Sequence, residues 1–182
     1  ASYALIAYWT AYMKANYPVE FMTALMTAEL QGVAGPLREV KMAQALEEAK
    51  RMKIEVLPPD INKSDLKFSI EGRSIRFGLS AIKNVGSAAI ESIIAARQKG
   101  GIFISFSEFL SRVELRKVNK KTIESLIKAD AFATFGNKAT LLMHYPDAVK
   151  EIAQYKENKD LGQFGLFGQD EVTRYATDNF KS

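Results

Sequence analysis

The apolar residues of this chain recur at helical spacing in short pieces separated by Gly, Pro and Asn, and they alternate at only one place. That pattern describes a mainly α chain with a small β-hairpin. Tyr3 to Tyr17 reads as a helix that is apolar almost all round (Leu5, Ile6, Tyr8, Trp9, Tyr12, Met13), so burial on several sides is expected. Pro18 ends it and opens a second helix, Val19 to Leu30, with Phe21, Leu25 and Met26 on related faces. A third runs from about Pro36 to Met52, with Leu37, Val40, Ala43 and Leu46 expected inward. Lys53 stands where a terminal glycine is usual, at a cost if its backbone turns left-handed. Ile54 to Leu57 reads as a short strand stopped by Pro58-Pro59. Residues 67–70 and 74–77 form a hairpin about Glu71-Gly72-Arg73.

From Gly78 the helical period returns in pieces. Ser105 and Glu108 form a capping box ahead of Phe106, Phe109, Leu110 and Val113. Asn119 is placed to cap a helix holding Ile123, Leu126 and Ile127. A helix from Lys138 is expected to be interrupted near Pro146. At 182 residues the chain fits one domain or two small ones. Its first segment reads as a mid-domain helix, so the chain is expected to be a piece of a longer protein.

Several chemistries are excluded. With no cysteine there is no disulfide, thiolate zinc site or cysteine nucleophile, and His144 is the single histidine. No nucleophile elbow, Walker loop or paired strand carboxylates occur, so no catalytic residue and no metal ligand is assigned. No apolar run reaches membrane length. Net charge is +4, unevenly spread. Residues 61–140 carry 14 basic and 7 acidic side chains, whereas residues 1–60 carry 6 and 7 and residues 141–182 carry 5 and 7. The middle of the chain is therefore the candidate surface for a polyanion.

That region contains LSAIKNVGSAAIESIIAAR, a short helix, a tight turn and a longer helix. Small residues at Ser87, Ala88 and Ala89 allow close helix approach, and Gly86 lets the backbone come near a ligand. The start of the second helix offers unpaired N–H groups and the positive end of its dipole, with Lys83 adding charge. Such groups contact phosphate rather than bases. The pattern resembles a helix-hairpin-helix DNA-binding motif, with Lys83, Asn84, Val85, Gly86 and Ser87 as the DNA-contacting turn. A weaker second copy spans NKKTIESLIKADAFATFGNKATLL. There Lys120, Lys121 and Lys138 are basic, and Gly136 and Asn137 occupy the phosphate-facing turn. Farther on, Gln163, Leu166 and Phe167 in GQFGLFG resemble the pentapeptide by which bacterial polymerases and repair factors dock into the sliding clamp.

Longer stretches carry a wider resemblance. ASYALIAYWTAYMKANYPVEFMTALMTAE, KMAQALEEAKRMKIEVLPPDIN, IRFGLSAIKNVG and FSEFLSRVELRKVNKKTIESLIKADAFATFG are similar, in order, to segments of the bacterial DNA polymerase III alpha subunit family, running from the end of the fingers. The resemblance implies three parts. Residues 1–60 would be the C-terminal part of a helical fingers domain. Residues 61–158 would be a β-hairpin and tandem helix-hairpin-helix DNA-binding region, and residues 159–182 a clamp-docking tail. It implies a cytoplasmic parent that is a DNA-directed DNA polymerase using Mg²⁺, with the catalytic palm upstream of Ala1 and no cofactor in this stretch. The implied partners are double-stranded DNA, the sliding clamp (beta subunit) and other holoenzyme subunits, with no membrane. The alternative is a standalone helix-hairpin-helix DNA-repair accessory or a protein-scaffold module.

Overall fold

The computed structural model describes residues 2–32 and 35–160. The chain is mainly α, with seven α-helices and one small sheet among those residues. In order they are α1 (Ser2–Asn16), α2 (Pro18–Gly32), α3 (Pro36–Arg51), β1 (Val56–Leu57), β2 (Ser69–Glu71), β3 (Ser74–Arg76), α4 (Ser87–Gly100), α5 (Phe106–Arg112), α6 (Lys120–Lys128) and α7 (Lys138–Asp160). A 3-10 turn, Leu79–Ala81, precedes α4. The chain divides into two compact units.

One unit comprises the residues up to Pro59 together with Ser64–Ala81. Its core joins Met22 and Met26 of α2, Met42, Ala45 and Ala49 of α3, and Ile54, Phe68 and Ile75. β3 is central in the sheet, antiparallel to β2 with Ile70 opposite Ile75, and parallel to β1 with Val56 opposite Ile75. Gly72 takes φ 64° at the first position of the two-residue loop, the positive-φ geometry that matches hairpin twist. Arg76 is buried and satisfied by the Glu71 carboxylate at 2.7 Å and the Pro58 carbonyl at 2.8 Å. Because Phe68 and Ile75 lie in the α2–α3 core, the hairpin packs with the first helices. The expected region 61–158 thus contributes its hairpin to the first unit.

Two other expectations change here. The buried face of α3 is Met42, Ala45 and Ala49, while Leu37 and Val40 are about half exposed. Steps of three residues fall short of a 3.6-residue turn, so a run of 37, 40, 43 and 46 drifts around the helix. The alternating steps of three and four from Met42 hold one face. α1 is also more exposed than expected: Tyr3 is 90% exposed, Tyr8 63% and Trp9 58%. Among the described residues α1 packs along α2, with one ion pair from Lys14 to Glu48 of α3 (2.6 Å), so its remaining faces are uncovered.

Lys53 adopts the left-handed backbone (φ 57°). The amide of Ile54 donates to Ala49 and that of Lys53 to Lys50, which closes α3 in a Schellman arrangement. The strain expected of a non-glycine residue is thus present, offset by satisfaction of the terminal carbonyls.

The second unit contains Asp60–Lys63 and the residues from Ile82 onward. The short 60–63 segment is held there by hydrogen bonds. The Ile61 amide donates to Ala131, while Asn62 both donates to and accepts from the Phe103 backbone, each at 2.8 Å. Phe103, Phe106, Phe109 and Phe132 form an aromatic core, with Phe109 centred 5.2 Å from Phe103 and 4.9 Å from Phe132. The capping box is formed: Ser105 Oγ accepts from the Glu108 amide, and Glu108 reaches back to the Ile104 amide. α7 runs unbroken through Pro146, contrary to the expected interruption. Leu141, Val149 and Ile152 are buried along one face of α7, and that burial offsets the hydrogen bond proline cannot make.

Candidate nucleic-acid interface

The candidate site lies between Ile82 and α4. Ile82, Val85, Ala89, Ile90 and Ile93 are buried and anchor the turn from within. Val85 is therefore a packing residue, not a surface contact. Lys83, Asn84, Gly86, Ser87 and Ala88 are exposed. The helical segment before the turn is shorter than expected, a three-residue 3-10 turn.

Asn84 takes the left-handed conformation (φ 64°), one that asparagine tolerates better than most residues. The chain then enters α4 through Gly86, an extended N-cap residue (φ −81°, ψ 161°) that provides no side-chain cap. The Val85 amide donates to Ile82, and the Ala89 and Ile90 amides both donate to the Gly86 carbonyl. The three amides between them, those of Gly86, Ser87 and Ala88, donate to no group among the described residues. They stand at the positive end of a 14-residue helix, on an exposed surface, beside Lys83. Open space surrounds the Gly86 Cα where a side chain would begin. An anion can approach these N–H groups directly.

The turn is braced from α6. Thr122 is buried, and its hydroxyl donates to the Asn84 carbonyl at 3.1 Å. The Asn84 side-chain amide lies 3.3 Å from Ser125 Oγ. Thr122 is itself held by the cap expected from the sequence, its amide donating to Asn119 Oδ1 at 3.0 Å. α6 thus touches the turn while displaying Lys120 and Lys121 on exposed positions of its first turn. Sequence reasoning assigned these lysines to the second copy alone. Thr122 and Ser125 leave no local signature in the sequence, because their contacts with Asn84 span 38 and 41 residues.

The second turn differs. Asp130 takes φ 64° and Gly136 φ 154°. Here one amide of the helix start is taken up: Asn137 Oδ1 accepts from the Ala139 amide at 2.8 Å, and Lys138 is paired with Asp130 at 2.6 Å. Gly136 is partly buried, and Asn137 is exposed. At this turn Asn137 takes up the Ala139 amide and Asp130 pairs with Lys138, whereas no side chain caps the start of α4. Nearby, the Glu124 carboxyl is held below the usual carboxylate range, chiefly by a hydrogen bond from Lys128. Burial lowers the Lys156 ammonium, whose Nζ donates to the Leu110 and Val113 carbonyls at the end of α5. Both are structural ties.

No cluster of His, Cys, Asp or Glu able to hold a metal ion occurs among the described residues, and no described helix is long and apolar enough to cross a membrane. Gln163, Leu166 and Phe167 lie outside the described residues.

Residues 53–141, which include the open turn and α4, match the family model described as "Helix-hairpin-helix motif". The chain is homologous to a fragment of the alpha subunit of DNA polymerase III. It is 47% identical over 169 residues to the DNA polymerase III subunit alpha of Saccharopolyspora erythraea, 42% identical over 169 residues to that of Thermus aquaticus, and 39% identical over 170 residues to that of Vibrio cholerae. Those matches cover 92%, 93% and 92% of this chain, but 14%, 13% and 14% of the relatives. The chain thus spans about one seventh of the length of these curated relatives.

Proposed function

We propose that this chain binds duplex DNA without regard to sequence, as the grip of a bacterial replicative DNA polymerase alpha subunit. The observation that carries this reading is the exposed turn at α4, where three amides with no partner among the described residues stand at the positive end of the helix, close in sequence to the exposed Lys83. The α6 lysines, Lys120 and Lys121, extend the positive surface along the helix that braces the turn. Gly136, Asn137 and Lys138 form a secondary contact at the start of α7, weaker because Asn137 already takes up the Ala139 amide and Asp130 already pairs with Lys138.

In the parent protein this grip supports template-directed DNA synthesis in the cytoplasm. Mg²⁺, deoxynucleoside triphosphates and the catalytic carboxylates belong to parts of the parent other than this stretch, so the fragment is non-catalytic. Residues 1–60 are read as the end of the fingers. Gln163, Leu166 and Phe167 are read as the tether to the sliding clamp, by which other holoenzyme subunits are joined to the same complex. Loss of the chain from immobilised clamp is expected when Leu166 and Phe167 are both changed to alanine; undiminished capture would overturn the tether.

The DNA reading is tested by titrating random-sequence duplex at a series of salt concentrations. The affinity of the chain should fall linearly on a log–log plot, and Lys83→Ala should reduce the slope by about one while weakening all sequences alike. A Lys83→Ala slope equal to that of the wild type would argue against Lys83 as a phosphate contact.

A further inference from the structure

We infer that Thr122 is a positioning residue for the phosphate-binding turn, acting from α6 through the Asn84 carbonyl. The inference rests on the DNA-binding reading and adds a residue that makes no contact with DNA itself. Three observations carry it. The Thr122 side chain is 2% exposed, so its hydroxyl faces protein and not solvent. That hydroxyl donates to the carbonyl of Asn84, the left-handed residue at the bend. The carbonyl belongs to the peptide plane between Asn84 and Val85, and its direction sets how the following backbone enters α4.

A left-handed non-glycine residue is an unfavourable conformation that persists when its surroundings hold it. The packing of Val85 holds one side of the bend, and Thr122 holds the other. The Asn119 cap fixes the Thr122 backbone in turn, so the start of α6 and the start of α4 are linked through one chain of hydrogen bonds. Amides aimed at phosphate need this fixed geometry, because a hydrogen bond weakens steeply with misalignment.

The test compares Thr122→Val, which keeps the branched shape and loses the donor, with Thr122→Ser, which keeps the donor. Both are measured in the 182-residue chain for thermal melting and for affinity to a random duplex across salt concentrations. Thr122→Val should weaken binding about three- to ten-fold, as expected for loss of one buried hydrogen bond that orients the site. Its salt slope should remain that of the wild type, because no cation is removed. Thr122→Ser should restore binding. Equal affinity of wild type and Thr122→Val, in a background where Lys83→Ala does weaken binding, would overturn the positioning role and leave the DNA reading intact. Failure of the wild type to bind duplex would overturn both. Should Thr122→Val fail to fold, weakened binding by a folded Thr122→Ser would itself contradict the role assigned to the hydroxyl, and wild-type binding would support it.

Discussion

Replacing Phe109 with alanine is expected to destabilise the second unit by about 3–5 kcal/mol, the usual cost of deleting a fully buried aromatic ring. Phe109 is 0% exposed. Its ring meets Phe103 and Phe132 edge-on and lies stacked 6.3 Å from Phe106, so one truncation removes a partner from three neighbours. The neighbours cannot refill the space readily. Phe103 is tied through its backbone to Asn62, Phe106 starts α5 beside its cap, and Phe132 follows the left-handed Asp130. Chemical denaturation should therefore show an earlier transition for this unit. A loss below about 1 kcal/mol would mean that the aromatic cluster is not the core of the unit.

Gly78→Ala is expected to damage the first unit by about 3 kcal/mol or more, for a steric reason. A Cβ at Gly78 would clash with the Lys67 carbonyl carbon and sit 2.7 Å from the Phe68 nitrogen and 2.8 Å from the Lys67 oxygen. These are backbone atoms, which cannot swing aside as a side-chain tip can. Separating the two segments would stretch the hydrogen bonds from Leu79 to Asp65 and from Ser80 to Leu66. It would also disturb the edge-to-face contact of Phe68 with Phe77. A melting temperature for Gly78→Ala matching the wild type would contradict the close crossing of these segments.

The parts of this molecule that are local in sequence were legible there. The caps at Ser105 and Asn119 form as their side chains dictate, and Asn84 takes the left-handed bend that its short amide permits. The hairpin about Gly72 and the burial of Ile82, Val85, Ala89 and Ile90 likewise follow from spacing. What sequence missed depends on partners far along the chain. The face of α3 is chosen by where α2 and Phe68 lie, and the drift of a three-residue step concealed it. The apolar circumference of α1 announces burial on several sides, yet one described neighbour, α2, covers most of what is covered. Pro146 looks like a break, but burial of Val149 and Ile152 beyond it keeps α7 on its course. At the candidate site, the two hairpin turns read alike in sequence. They diverge in structure because Asn137 caps its own helix and Gly86 has no side chain with which to do so.

The central claim is that free backbone amides at the start of α4 bind phosphate. Ser87→Pro tests it most directly. Proline at the first helical position removes an N–H without breaking the helix, and Gly86 already has the extended backbone that a residue before proline prefers. Charge is unchanged. Fluorescence anisotropy with a random duplex should show Ser87→Pro binding about five- to ten-fold more weakly than wild type at every salt concentration, with an unaltered log–log slope and melting temperature. Ser87→Ala, which keeps the amide, should bind as wild type does. Wild-type affinity in Ser87→Pro would contradict the claim.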